Sequence, residues 1–477
     1  MANLESHEWS TSAGLDLFLE LVRDRRRGVR RQIEDGLREA IRSGRLGHGA
    51  RLPPTRTLAR DLGISRGTVM QAYAQLAAEG WIGGRRGSAT RVAIHPERLP
   101  APEPRPRRHT RWRFDLRPGR PDPSSFPRTE WMRALRQGLA ATSDDAFGYG
   151  GPDGLPELRS ELAAYLARAR GLRVTADRLL VTSGFTQGLG LVARALARRG
   201  VGRIAMEEPS MPLHREIVRA AGHELVPVAV DGDGARVDEL AGSGAGAVVL
   251  TPNRQHPTGV LLAAPRRASL LEWARSTRAV VLEDDYDGEF RYDGRPVGPL
   301  QGLDPGLVIY AGTVSKTLAP GVRLGWLVLP DPLGAAVRRE KELADAQTSS
   351  LEQIALAELL RSGAYDRHIR RMRLRYRRRR DRLVEALRSR NPGLDLGGTS
   401  AGLNLLVRLP DAESERAALA AAAAAGVAVV GLAGDGFYEQ ELRYGLVVGY
   451  AASPEHAFER AAEALADALA RAAVRGR

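Results

Sequence analysis

The chain runs to 477 residues, more than a single hydrophobic core ordinarily organises, so two or more domains are expected. It contains no cysteine, which excludes disulfides, thiolate metal centres and cysteine nucleophiles, and no apolar run of the roughly 18 to 20 residues that a membrane span needs. With an amino terminus, MANLESHEWS, that lacks the basic-then-apolar order of a signal peptide, the chain reads as cytoplasmic, with no membrane partner and no bound metal.

Charge is spread unevenly. The net formal charge is +14, and residues 15–112 alone hold 21 Arg and no Lys against 10 Asp and Glu, an excess of +11. Clustered positive charge is the footprint of phosphate-backbone binding. A coding bias toward Arg would explain the scarcity of Lys but not this concentration in the first quarter. The chain holds two lysines, Lys316 and Lys341, so any imine chemistry must use one of them.

In chain order, Val29, Ile33, Leu37, Ala40 and Ile41 recur at helical spacing, and this first helix stops near Ser43 and Gly44. Pro53 and Pro54 forbid helix until Thr55 can cap a second one, whose apolar side is Leu58, Ala59 and Leu62. Gly63 and Ile64 make a turn, and Ser65 caps a third helix running to about Glu79 with Val69, Tyr73 and Leu76 as its buried stripe. Trp81-Ile82 and Thr90-Arg91-Val92 then flank GGRRGS, which reads as a two-stranded wing with a basic tip. Helix, glycine-containing turn and second helix is the arrangement that lays a reading helix in the major groove. Alone it is a common pattern; the basic wing and the local charge strengthen it.

Prolines alternate with charged residues across 95–112, which reads as an extended spacer between a module at 15–94 and a second region at 113–477. Beyond it, apolar runs at 179–181, 203–206, 247–250, 279–282, 307–310 and 324–328 alternate with helical segments. This predicts an α/β fold with a mainly parallel sheet covered on both faces. Strands near 403–407 and 446–448 around an Ala-rich helix predict a smaller α/β domain. The strongly basic helix over 366–387 reads as a solvated face on a long connection.

Several segments of this second region converge on one chemistry. Lys316, in Ser315-Lys316-Thr317 after a strand, is an amine that can form an imine with a pyridoxal aldehyde. Glu283-Asp284-Asp285-Tyr286 ends another strand, where a carboxylate can pair with a pyridinium nitrogen and a phenol can reach the ring hydroxyl. Consecutive acids are more often a solvated turn or a metal pair; the absence of a nearby histidine and the lysine motif downstream favour the pyridinium. Thr182-Ser183-Gly184-Phe185-Thr186-Gln187 joins a strand to a helix, the setting in which N–H groups and the helix dipole hold a phosphate, with Thr313, Ser315 and Arg323 as further donors. TPNRQHPTG, at 251–259, ends another strand at the edge where such sheets bind ligands.

RLPPTRTLARDLGISRGTVMQAYAQLAAEGWI resembles the GntR-type winged helix-turn-helix family over about residues 28–92. The resemblance implies Arg51, Arg56, Ser65, Arg66, Thr68 and Tyr73 as the DNA-facing set, with Arg85, Arg86 and Gly87 on the wing. Tyr73 reads equally as a core residue, and Thr68 as simply exposed. Residues 114–470 resemble fold-type I aminotransferases, and EDDYDGEFRY, GTVSKTLAPGVRLGW, RHIRRMRLRY and Tyr149-Gly150-Gly151-Pro152-Asp153-Gly154-Leu155 make the whole chain similar to the MocR/GabR subfamily of GntR-type regulators. That resemblance implies pyridoxal 5'-phosphate (PLP) in a Schiff base with Lys316, Asp284 at the pyridinium and Tyr286 near the ring hydroxyl. Around the phosphate it implies Gly184, Phe185, Thr186, Thr313, Ser315 and Arg323. It further implies a head-to-tail homodimer in which Tyr149 reaches a neighbour's cofactor, a double-stranded DNA operator, and a small amine, an amino acid or PLP itself as effector. Three positions depart from the pattern. His256 replaces the asparagine of the PTG turn, Met211 stands where many relatives have tyrosine, and Val447 and Val448 occupy the place of a carboxylate-gripping arginine, for which Arg443 is the nearest candidate. An active aminotransferase with an accessory DNA-binding module is the alternative reading, and a chain that has lost its cofactor, leaving Lys316 structural, is a third.

Overall fold

In the computed structural model, which describes residues 28–84, 89–93, 112–293, 297–440 and 442–475, the chain divides into two compact units, Met1–His109 and Thr110–Arg477. In the first unit Ile33, Leu37 and Ile41 line one side of helix α1 (Val29–Arg42) and are fully buried. They pack with Leu58 of α2 (Thr55–Asp61), Val69 and Leu76 of α3 (Arg66–Ala78), and Ile82 and Val92 of the antiparallel strands β1 (Ile82–Gly83) and β2 (Arg91–Val92). Gly63, at φ +62°, makes the turn between α2 and α3 in a backbone region that glycine enters without strain. Ser65 caps α3, its hydroxyl accepting the Thr68 N–H at 3.1 Å. Thr55 does not cap α2 as the sequence suggested: it is the first helical residue, Pro54 holds the cap position, and no side chain bonds there. Wing residues Arg85, Arg86 and Gly87 lie outside the described residues, as does most of the expected spacer.

The second unit opens with β3 (Phe114–Asp115), α4 (Arg128–Ala141) and α5 (Pro156–Arg170). There follow β4 (Leu179–Thr182), α6 (Phe185–Arg198), β5 (Arg203–Glu208), α7 (Pro212–Ala220), β6 (Glu224–Asp231), β7 (Gly234–Ala235) and β8 (Ala247–Leu250). Next come α8 (Ala264–Thr277), β9 (Val280–Asp284), β10 (Val308–Thr313) and β11 (Gly325–Val328). These strands form one sheet in the order β4-β11-β10-β9-β8-β5-β6-β7. The run β10-β9-β8-β5-β6 is parallel, while β11 is antiparallel to both of its neighbours. β4 and β8 are buried at every position, the signature of strands covered on both faces. The sequence missed β6 because Pro227 reads as a breaker. Pro227 is opposite Met206 of β5, but on its other side β7 pairs only with Val230 and Asp231, so no ladder donor is missing there.

Helices α9 (Asp331–Asp345), α10 (Ser350–Arg361) and α11 (Ala364–Arg390) lead to the smaller sheet. It comprises β12 (Asp395–Gly397), β13 (Asn404–Leu409), β15 (Val430–Gly431) and β16 (Tyr444–Gly449), antiparallel in the order β12-β13-β16-β15. Between them run α12 (Ala412–Ala424) and β14 (Val427–Ala428), the latter pairing in parallel with β3, and α13 (Glu455–Arg475) closes the chain. Leu383 and Leu387 of α11, Val407 of β13, Leu446 and Val448 of β16 and Leu465 of α13 share one core.

The consequence for function lies at one edge of the large sheet. Because β4, β5, β8, β9 and β10 run the same way, their carboxyl ends Thr182, Glu208, Leu250, Asp284 and Thr313 fall together. The antiparallel β11 brings its beginning, after Arg323, to the same edge, with Gly325 opposite both Thr182 and Thr313.

Candidate functional site

Several described arginines of the first unit face solvent, whereas Arg38 is tied to Glu79 and Asp35. Arg51, Arg56 and Arg66 are exposed and have no acidic partner among the described residues, so their guanidiniums are available to phosphate or to guanine edges. Arg66 is the first residue of α3, directly after the Ser65 cap. Thr68 and Ser65 share a hydroxyl–hydroxyl hydrogen bond of 2.8 Å, so both side chains also serve the helix start. Of the two readings open for Tyr73, its burial favours the core: it is only 6% exposed, and its hydroxyl donates to the Pro53 carbonyl at 3.0 Å. Burial pushes that phenol's pKa well above its usual value, so it is a neutral core residue rather than part of the DNA-facing surface.

At the carboxyl edge of the large sheet, Gly184 adopts φ +102° and precedes α6, and no side chain caps the helix. Its first-turn N–H groups, which have no intrahelical acceptor, belong to Phe185, Thr186 and Gln187. A Cβ at Gly325 would come within 2.8 Å of Gly184 Cα, so Gly325 is needed for the close approach of β11 and α6, while Gly184 is required by its positive φ. Arg323 has no acidic partner among the described residues. Thr313 Oγ1 donates to Ser315 Oγ at 2.9 Å and accepts the Ser315 N–H at 3.1 Å, which aligns both hydroxyls at the end of β10.

Lys316 follows in the same turn, its ammonium donating to the Gly119 carbonyl at 2.7 Å. Burial lowers the lysine's pKa, and the charges that act on it most are the carboxylates of Asp284 and Asp287, which raise it, and Arg120, which lowers it. Asp284 is buried, and burial raises its pKa well above the carboxylate range, against the attraction of Lys316. Its Oδ1 is buried with no hydrogen-bond partner among the described residues. The neighbouring Asp285 is fully engaged instead: it pairs with Arg170 at 2.6 Å and accepts from Tyr310 Oη at 2.8 Å and Asn253 Nδ2 at 3.0 Å. The His256 ring sits edge-on to Tyr286, centroids 5.8 Å apart, and burial with the nearby Arg254 charge lowers its pKa to about 3, so it is neutral.

Two further expected residues, Arg443 and Tyr149, are exposed. Arg443 is exposed just ahead of β16, where its charge acts on Tyr438. Tyr149 is fully exposed on the loop between α4 and α5. Val447 and Val448 are wholly buried in apolar surroundings, so no cation stands at those positions. Conversely, the sequence reading passed over three groups. Arg254 is buried and donates to Tyr286 Oη at 3.0 Å, Asp287 at 3.2 Å and the Asn404 carbonyl at 2.5 Å, tying the PTG turn to β13. Arg120 acts on Lys316. His214 of α7 packs edge-on to Phe185 at 4.9 Å and is lowered to about 4 by burial and the Lys316 charge. The signal for Arg254 was present, a cation inside a segment already singled out; His214 gave none.

The arrangement can hold a compact anion at the uncapped start of α6 beside Arg323, a basic ring nitrogen at the unpartnered Asp284 oxygen, and an aldehyde at Lys316. That donor set fits PLP. Fold and site define a PLP-binding domain of the aminotransferase class, here following a winged helix-turn-helix module. Residues 119–465 match the family model "Aminotransferase class I and II", and residues 29–92 match "Bacterial regulatory proteins, gntR family". The chain is 34% identical to the probable rhizopine catabolism regulatory protein MocR of Rhizobium meliloti, over 91% of this chain and 92% of that protein. It is 33% identical to the pyridoxine biosynthesis transcriptional regulator PdxR of Corynebacterium glutamicum, over 79% and 82%. Kynurenine aminotransferase of Pyrococcus horikoshii superposes with a TM-score of 0.67 at 27% identity, over 75% of this chain and 91% of that one. The chain belongs to the MocR/GabR subfamily of GntR-type transcriptional regulators. It is a PLP-dependent regulator that binds DNA through its amino-terminal module. No helix among the described residues is long and apolar enough to cross a membrane.

Proposed function

We propose that PLP occupies the carboxyl edge of the large sheet with Lys316 as its covalent anchor, Asp284 facing the ring nitrogen, and Tyr286 and His256 beside the ring. Gly184, Phe185, Thr186, Thr313, Ser315 and Arg323 surround the phosphate. The observation that carries this reading is the buried, unpartnered Oδ1 of Asp284, a costly group to leave unsatisfied unless a ligand supplies a donor. When bound, PLP supplies an aldehyde that exchanges amines and a ring that withdraws electrons. The chain's own residues neutralise the phosphate, hold a proton between Asp284 and the ring nitrogen, and orient the ring.

In this reading the domain senses a small amine or amino acid, or PLP itself, and passes that state to the DNA-binding module of a cytoplasmic protein. The protein acts as a homodimer, head to tail, with the exposed Tyr149 reaching the partner's cofactor and a DNA operator as its target. Repeated aminotransferase turnover is disfavoured by the apolar burial of Val447 and Val448 and by the solvent-exposed setting of Arg443, which leave a substrate carboxylate without its expected grip. The test is a spectral titration of the purified protein with amines and amino acids, followed by an assay of amino-group transfer. An effector that shifts the visible spectrum without yielding a keto product supports sensing. Sustained transfer to a keto acid supports the enzyme instead.

A further inference from the structure

Lys341 is the second of the chain's two lysines and has no part in the chemistry above. It sits on α9 with no exposed surface, and its ammonium pairs with Asp345 one turn further on. A fully buried ammonium is costly unless its charge is used in a defined geometry. Asp345 Oδ2 accepts from Gln187 Nε2 at 2.6 Å, and Gln187 Oε1 accepts the Ser183 N–H at 2.7 Å. Ser183 and Gln187 bracket Gly184, Phe185 and Thr186.

This chain of bonds has one allowed direction. A carboxylate only accepts, so Asp345 fixes the NH2 end of the Gln187 amide toward itself, and the carbonyl end must face Ser183. With its charge held by Lys341, Asp345 keeps that amide from rotating, and the Ser183 turn stays in the conformation that leaves the start of α6 uncapped. We propose that Lys341 and Asp345 form a positioning pair that sets the phosphate cradle through Gln187. The inference rests on the reading of residues 183–187 as that cradle.

The test compares dissociation constants for PLP and for pyridoxal, which lacks the phosphate, in the full-length protein. Lys341→Met, Asp345→Asn and Gln187→Ala should each lower the preference for PLP over pyridoxal by about three- to tenfold, the net worth of one ordinary hydrogen bond. Pyridoxal binding itself should stay near wild type. A variant that merely loosens the fold weakens both ligands alike and preserves the ratio. A preserved ratio in Lys341→Met, which removes the buried charge and leaves only a partly exposed carboxylate, overturns the proposal even if Asp345→Asn, which strands the buried ammonium, does not fold. Loss of the preference in Gln187→Ala alone also overturns it, because the effect then ends at Gln187. If the wild type binds both ligands equally, the cradle reading fails and takes this proposal with it.

Discussion

Asp284 and Lys316 stand at the ends of adjacent parallel strands, Asp284 closing β9 opposite Ala311 of β10 and Lys316 three residues beyond the end of β10, and each acts on the charge of the other. In the cofactor-free protein both are buried charges that disfavour their own ionised forms, the acid pushed up and the amine pushed down. A ligand that offers a ring nitrogen to one and an aldehyde to the other relieves both. Lys316 should therefore be the point of attachment. Borohydride reduction followed by peptide mass mapping should find the pyridoxyl group on Lys316, and Lys316→Ala should lose the visible absorption of the lysine-linked cofactor. A label on Lys341 would overturn the assignment.

The two neighbouring acids should behave in opposite ways. Asp284→Asn removes a carboxyl that burial penalises and whose Oδ1 has no hydrogen-bond partner among the described residues, so the cofactor-free protein should melt no lower than wild type. Its PLP affinity should fall by about ten- to a hundredfold, because the charge-assisted bond to the ring nitrogen is gone. Asp285→Asn instead leaves the buried Arg170 guanidinium without its counter-charge and should cost about 3 to 5 kcal/mol of stability. Thermal melts and PLP titrations of both variants separate them; exchanged behaviour would move the ring partner to Asp285.

Arg254 should act as a staple between the PTG turn and β13. Arg254→Met leaves Asp287 buried and unpaired and should destabilise by about 3 to 5 kcal/mol. It also frees the Tyr286 hydroxyl from one of its donors. Arg254→Lys, which keeps the charge but not the fork of donors, should recover only part of the loss in a denaturant titration. Equal stability of Arg254→Met and wild type would exclude the staple.

Glu207 makes stability depend on pH in a direction that can be worked out. Burial raises its carboxyl from 4.5 to about 7, against hydrogen bonds from the Thr251 N–H and hydroxyl. Between those values the folded chain holds a proton that the unfolded chain has released, so this contribution is present below about pH 4.5 and is lost as pH rises to about 7. Glu207→Gln stays neutral and can still accept both bonds. The difference in melting temperature between variant and wild type, in the cofactor-free protein, should grow in the variant's favour from pH 5 to 7.5. A constant difference over that range would show that Glu207 does not titrate there.

What the sequence made legible and what it hid divide along physical lines. Short apolar runs bounded by turns, as at 179–181 and 247–250, announce strands covered on both faces, and the carboxyl ends of such strands mark the ligand edge. Local rules fail where a distant group decides. Which of Asp284 and Asp285 is free depends on Arg170, 115 residues away from Asp285. Arg254 lies in a turn the sequence singled out, but its partners Asp287 and Asn404 are 33 and 150 residues further along the chain. Tyr73 reads equally as a DNA-facing or a core residue, and the Pro53 carbonyl decides for the core. Pro227 hides a strand because a proline's cost depends on which neighbour needs its N–H.

In the DNA module, Arg66 begins α3 in the open, with no acidic partner among the described residues, and it is placed to reach base edges if α3 enters the major groove. Arg66→Ala should relax base preference at one position per half-site and cost roughly 1 to 3 kcal/mol for each bidentate pair of hydrogen bonds it removes. Arg85, on the basic wing and outside the described residues, should act on phosphate instead. Arg85→Ala should weaken binding to all sequences and make the slope of log K against log salt shallower by about 0.9 for each phosphate no longer neutralised. The proposed homodimer would carry two reading helices, so a footprint on the protein's own upstream region should show two half-sites, as direct or inverted repeats. Tyr73→Phe should leave base preference and salt slope as they are and lower only stability, through the missing bond to Pro53, by about 1 kcal/mol. If Arg66→Ala and Arg85→Ala proved indistinguishable at every salt concentration, α3 would not be the reading helix, and base recognition would have to be sought elsewhere in the module.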